Sequence, residues 1–117
     1  MKLNKKIFLF FTILSLLICN NAFSKSNVDL VNAAENGDIK KVRELLRDGA
    51  NINEQDSKGD NALMKASENG HINVVRLLID AGAKVNLKDR KDKTALTYAS
   101  EEKHKNIVSL LKAAGGK

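Results

Sequence analysis

Proline is missing from all 117 residues, tryptophan is missing too, and Cys19 is the only cysteine. Without proline, no residue deletes a backbone donor from a helix interior, and most of the chain is free to be helical. A single cysteine excludes an internal disulfide, so any domain here must hold together by packing. Aromatic residues make up only 4% of the sequence, and Tyr98 is its one tyrosine. The core must therefore come from Leu, Ile, Val and Ala, which suits thin helical layers rather than a deep cavity. His71 and His104 are the only histidines, and with no cysteine near them no zinc site is expected.

Charge excludes less than it first suggests. The formal net charge is +6, but no acid precedes Asp29, and Lys2, Lys5 and Lys6 supply half of the excess. What remains is a mildly basic surface, not the concentrated footprint of a specific DNA- or RNA-binding domain.

Those early lysines belong to a segment that reads as an address. MKLNKK is a positive start, Ile7–Ile18 is an apolar run, and Ala22-Phe23-Ser24 offers small residues three and one before a break. Residues 1–24 are expected to be a secretory signal peptide cleaved after Ser24. The run is too short to span a membrane, which takes about twenty residues. Leu16-Leu17-Ile18-Cys19 has the outline of a lipid-attachment signal, but Ile18 stands where Gly, Ala or Ser is usual. A lipid anchor on Cys19 is thus the minor alternative to a periplasmic or secreted chain with no membrane span.

The rest of the chain repeats itself with a period of 33 residues. Asp56–Lys88 is the complete unit. Shifted forward, Asn61-Ala62-Leu63 falls on Thr94-Ala95-Leu96, His71 on His104, and Leu77-Leu78 on Leu110-Leu111. Shifted back, Leu63 meets Leu30, Ala66 meets Ala33, and Gly82-Ala83 meets Gly49-Ala50.

Each unit reads as helix, turn, helix and extended hairpin. Asn61 is an N-cap for a first helix, and Gly70 supplies its left-handed end. A second helix runs from Ile72 to about Ala81, with an apolar stripe of Val74, Val75, Leu77 and Leu78. Leu63, Val75 and Leu78 are the expected stacking core. Residues 83–89 alternate as an extended arm would, and Lys88–Asp92 is a polar turn.

These residues resemble the ankyrin repeat. The family pattern appears as Asp56-x-x-Gly59-x-Asn61-Ala62-Leu63-Met64-x-Ala66, then Gly70-His71-x-x-Val74-Val75-x-Leu77-Leu78, then Gly82-Ala83-x-Val85-Asn86. The resemblance covers about residues 27–114. It implies an all-α fold, an ankyrin-repeat solenoid of about three stacked helix-turn-helix units joined by short β-hairpins or turns. The expected domain is 25–117, with a capping repeat over 25–55, a full repeat over 56–88 and a second capping repeat over 89–117. Charged outer positions in the first copy and a last copy with nothing left to stack predict a complete array.

Departures from the pattern carry their own expectations. Met64 and Thr97 stand where the family has a histidine that ties hairpin to helix, which predicts looser hairpins. Lys103 replaces the helix-ending glycine at a cost of about 1–2 kcal/mol for a left-handed non-glycine, which predicts a frayed or altered helix end. Asp92 in place of Gly59 is milder, since Asp tolerates such turns.

Nothing in the sequence assembles catalysis. Ser67 and Ser100 have no base and read as tolerated small residues, and Glu101-Glu102 reads as a solvated face. Each histidine is expected to open a second helix and bond backbone in the preceding turn. No cofactor is implied. In ankyrin proteins the hairpin tips and exposed sides of the first helices grip partners, so the resemblance implies a non-catalytic protein-binding module, expected as a monomer. Carried over by position, the partner-binding residues are Ser57, Lys58 and Asp60, then Lys65, Glu68 and Asn69. In the last repeat they are Arg90, Lys91 and Lys93, then Tyr98, Glu101 and Glu102. Tyr98 is the expected anchor, as an aromatic at an interface often is. A secreted effector that engages a host protein is the alternative, and a weak binder of anionic surfaces or nucleic acid is a third reading.

Overall fold

The computed structural model describes residues 28–117, and the expected signal peptide, Cys19 included, lies outside them. Three helix pairs follow one another. Helix α1 runs through 28–36 and α2 through Ile39–Arg47; α3 is Ala62–Glu68 and α4 Ile72–Asp80; α5 is Ala95–Glu101 and α6 Lys105–Ala113. First helices stack on first helices, α3 against α5, and second on second, α2 against α4 and α4 against α6.

The first helices of the second and third repeats are short because both ends are specified. Asn61 accepts from the backbone N–H of Met64 at 2.9 Å and starts α3. Thr94 starts α5 by accepting from Thr97 N–H at 3.3 Å, while the Thr97 hydroxyl accepts from Thr94 N–H at 3.2 Å. This reciprocal pair is a capping box, and it absorbs the Thr97 side chain that replaced the family's histidine. Met64, the other replacement, is 1% exposed and has joined the core.

One apolar cluster runs through all three repeats. Leu30, Val42, Leu63, Val75, Leu78 and Leu111 are each almost wholly buried in it. Ala66 and Ala99 are fully buried, which lets the first helices approach closely. The expected core residues Leu63, Val75 and Leu78 all lie within this cluster.

Histidines staple the stack together, and they do so across repeats. His71 Nε2 lies 2.9 Å from the carbonyl of Glu35, and His104 Nε2 lies 3.0 Å from that of Glu68. The bond reaches the end of the preceding repeat's first helix, not the turn just before the histidine that the sequence suggested. Each ring lies over the glycine that ends that helix. A Cβ on Gly37 would stand 2.6 Å from His71, and one on Gly70 would stand 2.8 Å from His104.

Lys103 does adopt the left-handed conformation, with φ 60° against 78° for Gly70. The expected fraying is absent. α5 has the same seven-residue length as α3, and His104 N–H donates to Ala99 O at 2.9 Å as His71 N–H donates to Ala66 O. Among the described residues no imidazole packs over Lys103, so its side chain costs backbone strain alone.

The hairpins are closed turns, with no strand among the described residues. Asp56 N–H donates to Asp60 O at 2.8 Å, and Asp89 N–H to Lys93 O at 3.0 Å. Neighbouring hairpins are also joined. Arg90 N–H donates to Lys58 O at 3.2 Å, and the Gln55 amide bridges Gly59 O and Lys88 O at 2.8 Å each. The loops on the far side repeat one device: Asn53 accepts from Lys84 N–H at 2.8 Å, and Asn86 accepts from Lys117 N–H at 2.9 Å.

Candidate protein-binding site

Two adjacent hairpins and the helices that follow them enclose a groove of about 450 Å³. Its rim is made by the tips, Ser57 and Lys58 on one hairpin and Arg90 and Lys91 on the next. Its floor is Asp60, Asp89 and Tyr98, and Lys65 and Glu68 of α3 form the wall.

The turn chemistry explains the rim. Oδ1 of Asp56 accepts from Lys58 and Asp60 N–H at 2.9 and 3.0 Å, and Oδ1 of Asp89 accepts from Lys91 and Lys93 N–H at 2.8 and 3.0 Å. Aspartates that receive their own turn's amides fix the tip residues in place. Lys58, Arg90 and Lys91 are exposed, and none forms an ion pair among the described residues.

The floor differs from expectation in two places. Asp60, expected at a tip, is 7% exposed. Burial is the main reason its pKa is raised, opposed by Lys65 and reinforced by a hydrogen bond with Asp89. Oδ1 of Asp60 is buried and has no hydrogen-bond partner among the described residues, while Oδ2 faces Lys65. Tyr98, expected as an outward anchor, is 9% exposed, and its hydroxyl donates to Oδ2 of Asp89. That bond restores the hairpin-to-helix tie that the missing motif histidine would have made. Burial first, then the Asp89 carboxylate, pushes the phenol well above its usual range. Burial of Asp89 opposes its ionisation, but the Tyr98 hydroxyl and the amides of Lys93 and Lys91 outweigh it and hold the carboxyl below its usual range.

Lys65 is the hub of the wall. Its ammonium lies 3.5 Å from Asp60, 3.8 Å from Glu35 and 3.9 Å from Glu68. Partial burial works against its charge, yet these three carboxylates raise its pKa, Asp60 most. Beside the groove, Lys93 pairs with Glu101 at 2.9 Å and stands 5.4 Å from the centre of the Tyr98 ring, covering it. The Glu101 hydrogen bond raises the Lys93 pKa.

Eight of the expected residues therefore converge on the groove: Ser57, Lys58, Asp60 and Lys65, with Glu68, Arg90, Lys91 and Tyr98. Four do not line it. The Asn69 amide turns back onto Lys65 O of its own helix at 2.9 Å, Lys93 and Glu101 engage each other, and Glu102 caps α5 in solvent. Asp89 was missed. Its signal was present, since it repeats Asp56 at the 33-residue period and opens the same turn.

Stacked helix pairs with ordered hairpin tips define an α-solenoid whose repeats share one core. The family described as ankyrin repeats in three copies matches residues 30–117, and the chain belongs to that family. Ankyrin repeats form a non-catalytic fold whose members generally serve as protein–protein interaction modules. No curated relative matches the chain. Among the described residues no helix is long and apolar enough to cross a membrane.

Proposed function

We propose that this chain is an exported, non-catalytic binding module that grips a partner protein across the groove between its second and third repeats. The observation that carries this reading is the convergence of tip and helix residues, from hairpins held to each other, on one polar groove. Rigid tips favour binding because little order has to be imposed when a partner arrives. The Asp60 and Asp89 carboxyls of the groove are tied into wall and turn contacts. A monomer acting in the periplasm or outside the cell, released by cleavage after Ser24, is part of the same proposal.

The test is capture of partners from envelope and culture-medium extracts by the wild-type chain and two charge-reversed variants. Lys58→Glu with Arg90→Glu alters the rim, and Arg76→Glu alters an exposed residue of α4. Loss of a captured protein with the rim variant alone supports the proposal. Equal capture by all three chains refutes the groove as the binding face. Sequencing the N-terminus of the exported chain separates Lys25 from a lipidated Cys19.

A further inference from the structure

The groove and the helix ends beside it carry charge in two bands of opposite sign, and of the inner glutamates Glu68 alone lines the groove itself. The outer band is Lys58, Arg90 and Lys91, three exposed cations on tips joined by the Arg90 N–H to Lys58 O bond at 3.2 Å. No carboxylate among the described residues pairs with any of them. The inner band is Glu35, Glu68 and Glu101, which recur at the repeat period near the ends of α1, α3 and α5. Only Lys65 and Lys93 serve this row. The Lys65 ammonium is divided among three carboxylates at 3.5–3.9 Å, too far for a tight hydrogen-bonded pair with any one. Side chains of Glu35, Glu68 and Glu101 remain 47%, 38% and 47% exposed, so each has a face left for a visiting cation. Between the bands lie the buried carboxyls of Asp60 and Asp89. Unpaired cations at the tips thus stand beside a row of partly exposed glutamates along the helix ends.

We infer that the partner is a protein segment of matching polarity, with acidic side chains towards the hairpin tips and Lys or Arg towards the row of glutamates. This rests on the protein-binding reading above. A nucleic acid or an anionic lipid surface is negative throughout; it would gain at the tips and then meet the exposed glutamates. A purely acidic protein segment has the same difficulty one step further in. Only a segment that changes sign across its width satisfies both bands. Opposed bands also set direction, because a reversed segment lays like charge on like.

Backbone-amide NMR of the isotope-labelled protein, in the form its source cells accumulate, tests the inference with four probes. These are a peptide with a Glu block followed by a Lys block, the same residues alternated, a Glu-only peptide, and a DNA duplex. The block peptide should shift amides at both the tips and the ends of α3 and α5, and bind about tenfold more tightly than any other probe. Changing Lys58, Arg90 and Lys91 to Glu should abolish that binding. Adding Glu68→Lys and Glu101→Lys should restore it with the peptide reversed, as a spin label on one peptide end reports. The charge rule is overturned if the Glu-only peptide or DNA binds as tightly, if block and alternated peptides are equal, or if the block peptide does not bind. The protein-binding reading survives those results and stands or falls on the capture experiment. Shifts confined to α4 and α6 would overturn both.

Discussion

The hydroxyl of Tyr98 donates to Oδ2 of Asp89, tying the first helix of the third repeat to the hairpin that precedes it. Because Oδ1 of the same carboxylate receives the amides of Lys91 and Lys93, one side chain sets the tip and the phenol anchors that side chain. Removing the hydroxyl with Tyr98→Phe leaves a buried carboxylate oxygen without its donor. The expected cost is about 1.5–3 kcal/mol, the range for hydrogen bonds to charged groups. It should appear as a lower urea midpoint with faster hydrogen exchange at Lys91 and Lys93. An unchanged midpoint would show that the tip holds itself.

Ser67 is fully buried, and its hydroxyl has no partner among the described residues. It occupies a small-residue place in the stack and leaves a polar group unsatisfied there. Ser67→Ala should therefore stabilise the fold by about 1 kcal/mol, the lower end of the cost of burying an unpaired hydroxyl. Thermal unfolding of the two proteins decides the sign. A destabilised alanine variant would mean the hydroxyl finds a partner.

Much of this fold was legible because the ankyrin pattern fixes local choices. Asn61 as a cap, Gly70 as a terminator and the stripe through Val75 and Leu78 all depend on neighbours within one unit. The family resemblance, carried over by position, named eight of the residues that line the groove. What it could not carry was the relation between units. Whether Asp60 points out or in depends on Asp89, 29 places away, and on Lys65. The reach of His71 to Glu35 spans 36 residues and leaves no mark on either residue's own neighbourhood. Tyr98 looked like an anchor because a lone aromatic on a helix is a common one. The absent motif histidine was the clue that a different side chain had to close the hairpin.

Among the described residues, the two non-glycines with positive φ, Asp92 and Lys103, both lie in the last repeat, and their places matter more than their conformations. Gly70 must stay glycine twice over, for its φ of 78° and for the His104 ring beside it, whereas Lys103 meets only the first demand. Gly70→Ala should cost more than the roughly 1–2 kcal/mol of left-handed strain, and Lys103→Gly should gain up to about 1 kcal/mol. Combining Gly70→Ala with His104→Ala should give a smaller loss than the two single losses added, since the contact is then already gone. Denaturant midpoints for the four variants check this. Strict additivity would show that strain alone matters at Gly70 and that the imidazole does not press on it.

Asp60 and Asp89 give the fold opposite responses to acid. Burial above all raises the Asp60 pKa, so the folded chain binds that proton more readily than the unfolded chain. Stability linked to it is complete below the unfolded value, near 3.8, and is lost as pH rises through the folded value. Asp89 is held below that same value, so its contribution is present above it and is lost as pH falls through the folded one. Asp60→Asn removes the first response and leaves the second, and its amide can still donate to Asp89 without needing a proton. Lys65 keeps Glu35 and Glu68. Relative to wild type, the variant should therefore become more favourable as pH rises from the unfolded value, near 3.8, through the raised folded one, where wild-type Asp60 must surrender its proton. Urea midpoints of both proteins across that range measure the difference directly. A difference that stays flat would show that Asp60 ionises in the folded chain as easily as in the unfolded one, and a difference that shrinks as pH rises would show that it ionises more easily there.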